Sequence, residues 1–438
     1  MTVPRPTGRS CAWGAAASGL FLLAAAHPGL GLLPWLSLGV LAALFAADAA
    51  LARRGALEVR RRVPARLSLD RPARVTLEIE SRSPFALEVR ASDDLSPALE
   101  GNCSDVPHAL LPGETLAVTY EAVPTARGEH ALGPVHLRAA GPLGLSWTQG
   151  VHEPGGTARV YPDFGIVSSY ETLLLRGRTR QIGIRTVRET GQGWEFANLR
   201  DFHPGDDPRQ VDWKASRRRS KLTFRNREPE RQQEVLVLVD TGRLMTSRWR
   251  RRERLEVSLR AAGMLAWIVM RSHDSVGMVT FSSQVHEALK PVSGPRAVGR
   301  IREVLLRARS DLTEPDYREA FAAARSLLSK RSLLVLFSDP VGTSMAGEIH
   351  RQFAETRRRH LNCLVTMRDP EVWRRASAPA AGGPELLLRA AAEAHIQERR
   401  RALAGLRAGG VLLVDAFPED LTPAVVNRYL RLKAERKL

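Results

Sequence analysis

Cysteine is scarce in this 438-residue chain: Cys11, Cys103 and Cys363 are its three, far apart and in no C-x-x-C pattern. That excludes a disulfide framework and a cysteine-rich zinc module, and so low and odd a count points to a reducing compartment. The 11 histidines are scattered, with no metal-ligand spacing to a cysteine. No G-x-x-x-x-G-K-[ST] loop is present, which excludes ATP hydrolysis by the phosphate-loop route; a G-x-G-x-x-G after a strand, H-E-x-x-H and G-x-S-x-G are missing too. Negative charge is the other shortage: 47 Asp and Glu stand against 65 Lys and Arg, a formal net charge of +18. Such an excess draws nucleic acid, anionic lipid or an acidic partner alike and decides among none of them. With 44% hydrophobic and 26% charged residues the composition is that of a folded chain. At roughly 100–200 residues per domain, its length gives two or three domains.

What the chain does have, at its start, is long apolar runs. Residues 11–26 and 30–47 carry no charged side chain, and each approaches the roughly 17–25 residues a helix needs to cross a bilayer. His27-Pro28-Gly29 between them is turn chemistry, so residues 1–55 are expected to form a transmembrane helical hairpin in contact with lipid. Arg5 and Arg9 precede it, and Arg53, Arg54, Arg60, Arg61 and Arg62 follow it. Positive flanks stay in the cytoplasm, which predicts a two-pass anchor with the remaining domains on the cytoplasmic side. Ala24-Ala25-Ala26 also has the small residues of a signal-peptide cleavage site, but a second apolar span follows at once and needs a membrane.

Residues 56–162 change to period two. Ala73-Arg74-Val75-Thr76-Leu77-Glu78-Ile79-Glu80 alternates apolar with polar, and similar runs at 65–69, 87–91, 116–122, 135–139 and 158–161 are separated by turn clusters such as Leu111-Pro112-Gly113-Glu114. Short strands at this spacing predict an antiparallel β-sandwich of immunoglobulin-like type, a spacer or interaction module.

Residues 163–231 hold the densest chemistry. Arg200, Asp201, Phe202, His203, Gly205, Asp206, Arg209, Asp212 and Trp213 fall within a few turns of one another, followed by Arg217, Arg218, Arg219 and Lys221. The closely alternating charges and Trp213 read first as a salt-bridged clasp holding the linker to the next domain. The second reading is a site that binds a phosphate or polarises a substrate; it lacks a nucleophile. This stretch resembles the bacterial domain-of-unknown-function 58 family, whose hallmark is an R-x-[YF]-x-x-G-D-x-x-R-x-[IV]-D-W-x-A-[ST]-x-R block. Arg200, Phe202, Gly205, Asp206, Arg209, Val211, Asp212, Trp213, Ala215, Ser216 and Arg218 stand in that pattern, and Val426-Asn427-Arg428-Tyr429-Leu430-Arg431-Leu432-Lys433 is similar to the family's closing helix. The resemblance implies a location in the bacterial inner membrane and a partner, because such proteins are commonly encoded beside MoxR-type AAA+ ATPases.

From residue 232 to 438 strands and helices alternate, as in a doubly wound parallel sheet. Val235-Leu236-Val237-Leu238-Val239 is continuously apolar, as a strand buried on both faces must be. Further strands are expected at 276–281, 285–289, 333–337, 361–366 and 411–414, with helices at 255–270, 297–308, 317–328, 345–358, 385–406 and 423–436. Ligands of such sheets sit beyond the carboxyl ends of the strands, where Asp240, Thr313 and Asp339 should meet. The arrangement is similar to a von Willebrand factor A domain, in which an Asp-x-Ser-x-Ser loop, a threonine and a further aspartate hold Mg²⁺ through oxygen. Here Gly242 and Leu244 replace the two serines and Arg243 adds positive charge, while Asp240, Thr313 and Asp339 remain, with Thr241 and Ser338 as substitute hydroxyls. A vestigial polar rim without a cofactor is the first reading, and Mg²⁺ held by these residues is the alternative. The arginines around Trp249 (Arg248, Arg250, Arg251, Arg252 and Arg254) and the run Arg357-Arg358-Arg359 read as solvated faces or lipid contacts rather than nucleic-acid contacts. The whole predicts a multi-domain, non-catalytic membrane adaptor: hairpin, sandwich, then a degenerate von Willebrand factor A-like domain. An enzyme using the 200–213 block and a basic nucleic-acid binder are the alternatives.

Overall fold

A computed structural model describes residues 4–26, 31–54, 57–101, 103, 106–163, 195–201, 211, 213–219, 221–228, 233–250, 252–340, 342–379, 382–435 and 437–438. The chain divides into two compact units after Asp163.

Most of the first unit is β structure. One sheet has the order β2 (Leu57–Arg62), β4 (Ala73–Ser81), β8 (Thr115–Pro124), β6 (Leu99–Gly101). A second runs β1 (Arg5–Pro6), β11 (Ser146–His152), β10 (Val135–Ala140), β5 (Leu87–Asp93), β7 (His108–Leu110), and three short strands, β3 (Leu67–Ser68), β12 (Thr157–Tyr161) and β9 (Gly128–Ala131), make a third. The period-two pattern explains the core: Val75, Leu77 and Ile79 of β4 pack with Leu87, Val89 and Ala91 of β5 and Leu137 and Ala139 of β10. The three-residue strands escaped the sequence reading because so short a piece shows no alternation. Arg61, expected at the membrane flank, lies instead inside this body. Its Nε donates to Asp93 at 3.0 Å and its Nη2 to the Gly133 carbonyl at 2.8 Å, and the Tyr120 hydroxyl donates to the same carboxylate.

Both apolar runs are helical, as α1 (Gly8–Ala26) and α2 (Leu33–Arg54). They pack together, with Phe21 edge-on to Trp35 at 5.2 Å. Among the described residues one helix is long and apolar enough to cross a membrane by length and composition, α2 over Leu33–Ala52. In α1, Arg9, Ser10, Gly14, Ser18 and Gly19 dilute the apolar content. Leu22, Leu33, Trp35 and Leu36 are largely exposed, a surface suited to lipid rather than water.

The helices are joined to the sandwich by polar contacts. Thr7 donates its N–H to the Leu145 carbonyl at 3.1 Å and its hydroxyl to that of Gly144 at 2.7 Å. Near the end of α2, Asp48 is 0% exposed. Its carboxylate accepts from the N–H groups of Leu143 (2.7 Å), Leu145 (2.9 Å) and Ser146 (2.8 Å) and from the Ser146 hydroxyl (3.0 Å), all at the turn between β10 and β11. Residue 141 is glycine because a Cβ there would lie 2.3 Å from the Asp48 carboxyl carbon.

The second unit is built on a six-stranded sheet of order β19 (Val285–Val292), β18 (Ser275–Phe281), β15 (Glu234–Asp240), β20 (Ser332–Phe337), β21 (Leu361–Met367), β22 (Leu412–Ala416). All neighbours are parallel except β19, which runs antiparallel at the edge. Alternation within the apolar β15 sorts two helical layers. Val235, Val237 and Val239 pack with α4 (Arg254–Arg271), α5 (Pro295–Arg307) and α10 (Leu421–Ala434). Leu236 and Leu238 pack with α6 (Tyr317–Leu327), α7 (Thr343–Thr356) and α9 (Gly383–Ala408). A helix that the sequence reading lacked, α8 (Pro370–Ser377), is capped by Asp369, which accepts from the N–H groups of Glu371 and Val372. Before this sheet, β13 (Glu195–Asp201) pairs antiparallel with β14 (Thr223–Glu228), with α3 (Trp213–Arg219) between them in sequence; a small hairpin, β16 (Arg248–Trp249) and β17 (Arg252–Glu253), precedes α4. The closing helix α10 is fixed through two of its motif residues. The Tyr429 hydroxyl and the Lys433 ammonium both donate to the buried carboxylate of Asp274, the latter at 2.9 Å.

Replacing Asp48 by Ala leaves three N–H groups, two of them buried, without their acceptor, at a cost of about 1–3 kcal/mol or more. We expect a lower melting temperature in detergent for Asp48→Ala and, by steric conflict, for Gly141→Ala. Unchanged melting of both would show that the helices do not depend on this contact.

Candidate functional site

The strand order reverses between β15 and β20, and the carboxyl edge there is where a doubly wound sheet places its ligands. Asp240 ends β15, and Ser338 and Asp339 follow β20; the two carboxylates are 1% and 3% exposed. Asp240 accepts from the Gly242 N–H at 2.8 Å, the Ser338 hydroxyl at 2.6 Å and, at 3.3 Å, the Tyr317 hydroxyl, which also lies 2.8 Å from Ser338 Oγ. Burial raises the Asp240 carboxyl from its ordinary 3.8 to about 6, against the lowering effect of these donors, because a medium of low polarity disfavours the charged form.

Thr313 reaches the same rim through its backbone. Its carbonyl accepts from the Arg243 N–H at 2.8 Å, while its N–H donates to Asp311 at 2.9 Å and its hydroxyl to the same carboxylate. Glycine stands at 242 because a Cβ there would lie 2.8 Å from the Thr313 carbonyl oxygen and 3.2 Å from Asp240 Oδ1. A serine at that position would need the loop to move. Arg243 turns outward to Glu314, 2.5 Å away.

Asp339 is held by two arginines, one from each helical layer. Arg254 Nη1, from α4, donates to one carboxylate oxygen, and Arg399 Nη1, from α9, to the other. The Thr366 hydroxyl adds a third donor at 2.7 Å. Arg254 also reaches Asp369 at 2.9 Å, and Arg399 Nη2 reaches Thr366 Oγ1 at 2.7 Å and both Asp415 and the Met367 carbonyl at 3.0 Å. Arg368 completes the set on Asp415 at 2.9 Å. Three guanidiniums and three carboxylates therefore balance across the ends of β20, β21 and β22. Arg254, grouped by sequence with the solvated arginines around Trp249, is a correction to that reading: its side chain is only 12% exposed.

These residues do not fit a divalent ion. Both oxygens of Asp339 already face a positive charge, Asp240 accepts three hydrogen bonds, and the Thr313 hydroxyl is directed to Asp311. Among the described residues no group of three His, Cys, Asp or Glu side chains is placed to hold a metal. Arg399 and Tyr317 were missed by the sequence reading. Arg399 had a signal, since it continues the buried stripe Ala392, Ile396, Arg399, Leu403, Leu406 of α9, where an apolar residue is the default.

Of the signature block, Arg200 lies in β13, and Gly205, Asp206, Arg209 and Asp212 fall outside the described residues. Trp213 opens α3 and is 69% exposed, so it is not the buried anchor that a clasp requires. Arg217 and Arg218 beside it are exposed, and Ser216 is buried.

Fold and block together define the class: a doubly wound α/β domain, entered through an arginine- and tryptophan-bearing segment. Residues 198–403, a little under half of the chain, match the family described as protein of unknown function DUF58. The uncharacterized protein YeaD of Bacillus subtilis (strain 168) is 28% identical over 174 residues, 38% of this chain and 43% of YeaD. The chain thus spans less than half the length of that curated relative. Among solved structures, the conserved hypothetical protein BatB from Bacteroides thetaiotaomicron aligns with 47% of this chain and 99% of its own at 15% identity and a TM-score of 0.32. An aerotolerance-related membrane protein from Bacteroides fragilis NCTC 9343 gives 45%, 98%, 13% and 0.27. The CARDB domain of PF1109 from Pyrococcus furiosus gives 24%, 88%, 14% and 0.17.

Because the Asp240 carboxyl is easier to protonate folded than unfolded, it stabilises the fold fully below about 3.8, and that contribution is lost as pH rises through about 6. In denaturant unfolding between about pH 4 and about pH 7, the wild type should lose on the order of 3 kcal/mol more than Asp240→Asn. Equal pH slopes for the two proteins would contradict the assignment.

Proposed function

We propose that this protein is a membrane-anchored, non-catalytic adaptor, whose second unit is a von Willebrand factor A-like domain with a degenerate adhesion site. The observation that carries this reading is the closed carboxyl edge. An enzyme needs a nucleophile or an acid–base group within reach of its substrate, whereas Asp240 and Asp339 are buried and engaged by the chain's own donors. The sheet order, with β15 central and the antiparallel β19 at one edge, supports the von Willebrand factor A-like reading. The apolar α2 supports the anchor. A two-pass hairpin facing the cytoplasm of a bacterial inner membrane follows from the arginine flanks under the positive-inside rule.

The partner follows from the family resemblance: a MoxR-type AAA+ ATPase, supplying the nucleotide chemistry for protein assembly or maturation. Trp213, exposed beside Arg217 and Arg218, is the surface we assign to that contact, since a tryptophan flanked by arginines has the chemistry of an interface hot spot.

The test is capture of the full-length protein from detergent extract together with the cognate ATPase, with and without nucleotide. Trp213→Ala combined with Arg218→Glu should weaken capture at least about tenfold, as loss of a hot spot does, with the melting temperature unchanged. No association in any nucleotide state, or full capture by the double variant, would overturn the respective part of the reading.

A further inference from the structure

We propose that Arg254 and Arg399 are the resident cation of the carboxyl edge: their guanidiniums hold the place at Asp339 that a divalent ion would take, and the edge works without metal. This stands apart from the identity of the partner.

A small cavity of about 10 Å³, lined by Ser258, Ser338, Asp339 and Thr366 together with Met245, Leu421 and Arg254, lies at this edge. Its hydroxyl and carboxylate oxygens are the donors a hard divalent cation selects. The positive charge the structure places among them is Arg254, with Arg399 on the other oxygen of Asp339. Ion and arginines are alternatives. Like charges a few ångströms apart repel strongly where water does not screen them, and a divalent ion beside two guanidiniums would meet that repulsion from both. The guanidiniums are also fixed independently of Asp339, Arg254 by Asp369 at 2.9 Å and Arg399 by Asp415 and the Met367 carbonyl at 3.0 Å. They are therefore built into the edge rather than drawn there by an empty carboxylate.

Arg254 is the removable half. It enters from the first turn of α4, and its side chain is 12% exposed against 6% for Arg399. Shortening it should open the oxygen-lined cavity and leave one oxygen of Asp339 without its cation. The edge of the wild type should then be indifferent to chelators, and the variant should acquire a divalent-ion requirement.

The experiment uses the full-length protein in detergent, stripped with EDTA, with thermal unfolding followed with and without Mn²⁺ or Mg²⁺ and bound Mn²⁺ read by electron paramagnetic resonance. Wild type should melt at the same temperature throughout and bind no Mn²⁺ at this edge. Arg254→Ser should melt lower in EDTA, regain part of the loss on adding Mn²⁺, and bind Mn²⁺ at least tenfold more tightly than wild type; adding Asp339→Asn should abolish that binding. Arg254→Lys, which keeps a cation, should stay indifferent to Mn²⁺. Should Arg254→Ser fail to fold, Arg254→Gln is read in the same way, and the wild-type measurement decides by itself in one direction. Mn²⁺ that raises the wild-type melting temperature and is lost in Asp240→Asn or Asp339→Asn overturns the proposal. So does an Arg254→Ser protein that folds and binds no more Mn²⁺ than Arg254→Lys.

Discussion

The second unit depends on one buried carboxylate. Asp339 sits at the end of a central strand, and the two arginines it accepts come from helices on opposite faces of the sheet, α4 and α9. A guanidinium is buried only when its donors are paired, so each arginine brings its own further partner: Asp369 for one, Asp415 for the other. Since Asp369 caps α8 and Asp415 lies in β22, the charge balance at one point fixes where the strands β20 to β22 end and how both layers close over them. Removing one member leaves an unmatched buried charge, at about 3–5 kcal/mol in comparable cases. The same device recurs in the first unit, where buried Asp48 joins α2 to the β10–β11 turn and Arg61 bridges Asp93 and Gly133.

Much of this was legible in the residues because periodicity is a direct consequence of burial. The uninterrupted apolar β15 has to be covered on both faces, and the alternation of β4 has to be covered on one. Strands and helices of the second unit accordingly fall close to where the pattern puts them, and Asp240 and Asp339 come to the same edge because strands of a parallel sheet end together. What the pattern could not supply is the pairing of charges across long sequence separations. Arg254 lies in a stretch where exposed arginines surround it, and no local feature separates it from Arg248 or Arg250. Arg399 interrupts an apolar stripe, and Asp48 lies just after an apolar run; a charge on a face that must be buried implies a partner, but not which one. Trp213 illustrates the opposite failure, an aromatic residue taken for an anchor that lies on the surface. The glycine at 242, read as a lost hydroxyl ligand, is also a steric necessity imposed by the Thr313 carbonyl.

These features favour a reading in which the carboxyl edge is a rigid platform rather than a reaction centre. Both oxygens of Asp339 accept from a guanidinium, and Asp240 is buried and accepts from Gly242, Ser338 and Tyr317, so the chain's own donors already engage both carboxylates. Recognition would then rest on the exposed chemistry around Trp213, while the edge holds the domain in one conformation without help from an ion.

The central claim is that Asp339 and Arg399 stabilise the domain only together. It is tested most directly by a double-mutant cycle on Asp339→Asn and Arg399→Met, read by chemical denaturation of the full-length protein. If the account holds, each single change costs about 3–5 kcal/mol and the double change costs no more than either. Additive losses, with no coupling between the two positions, would contradict it.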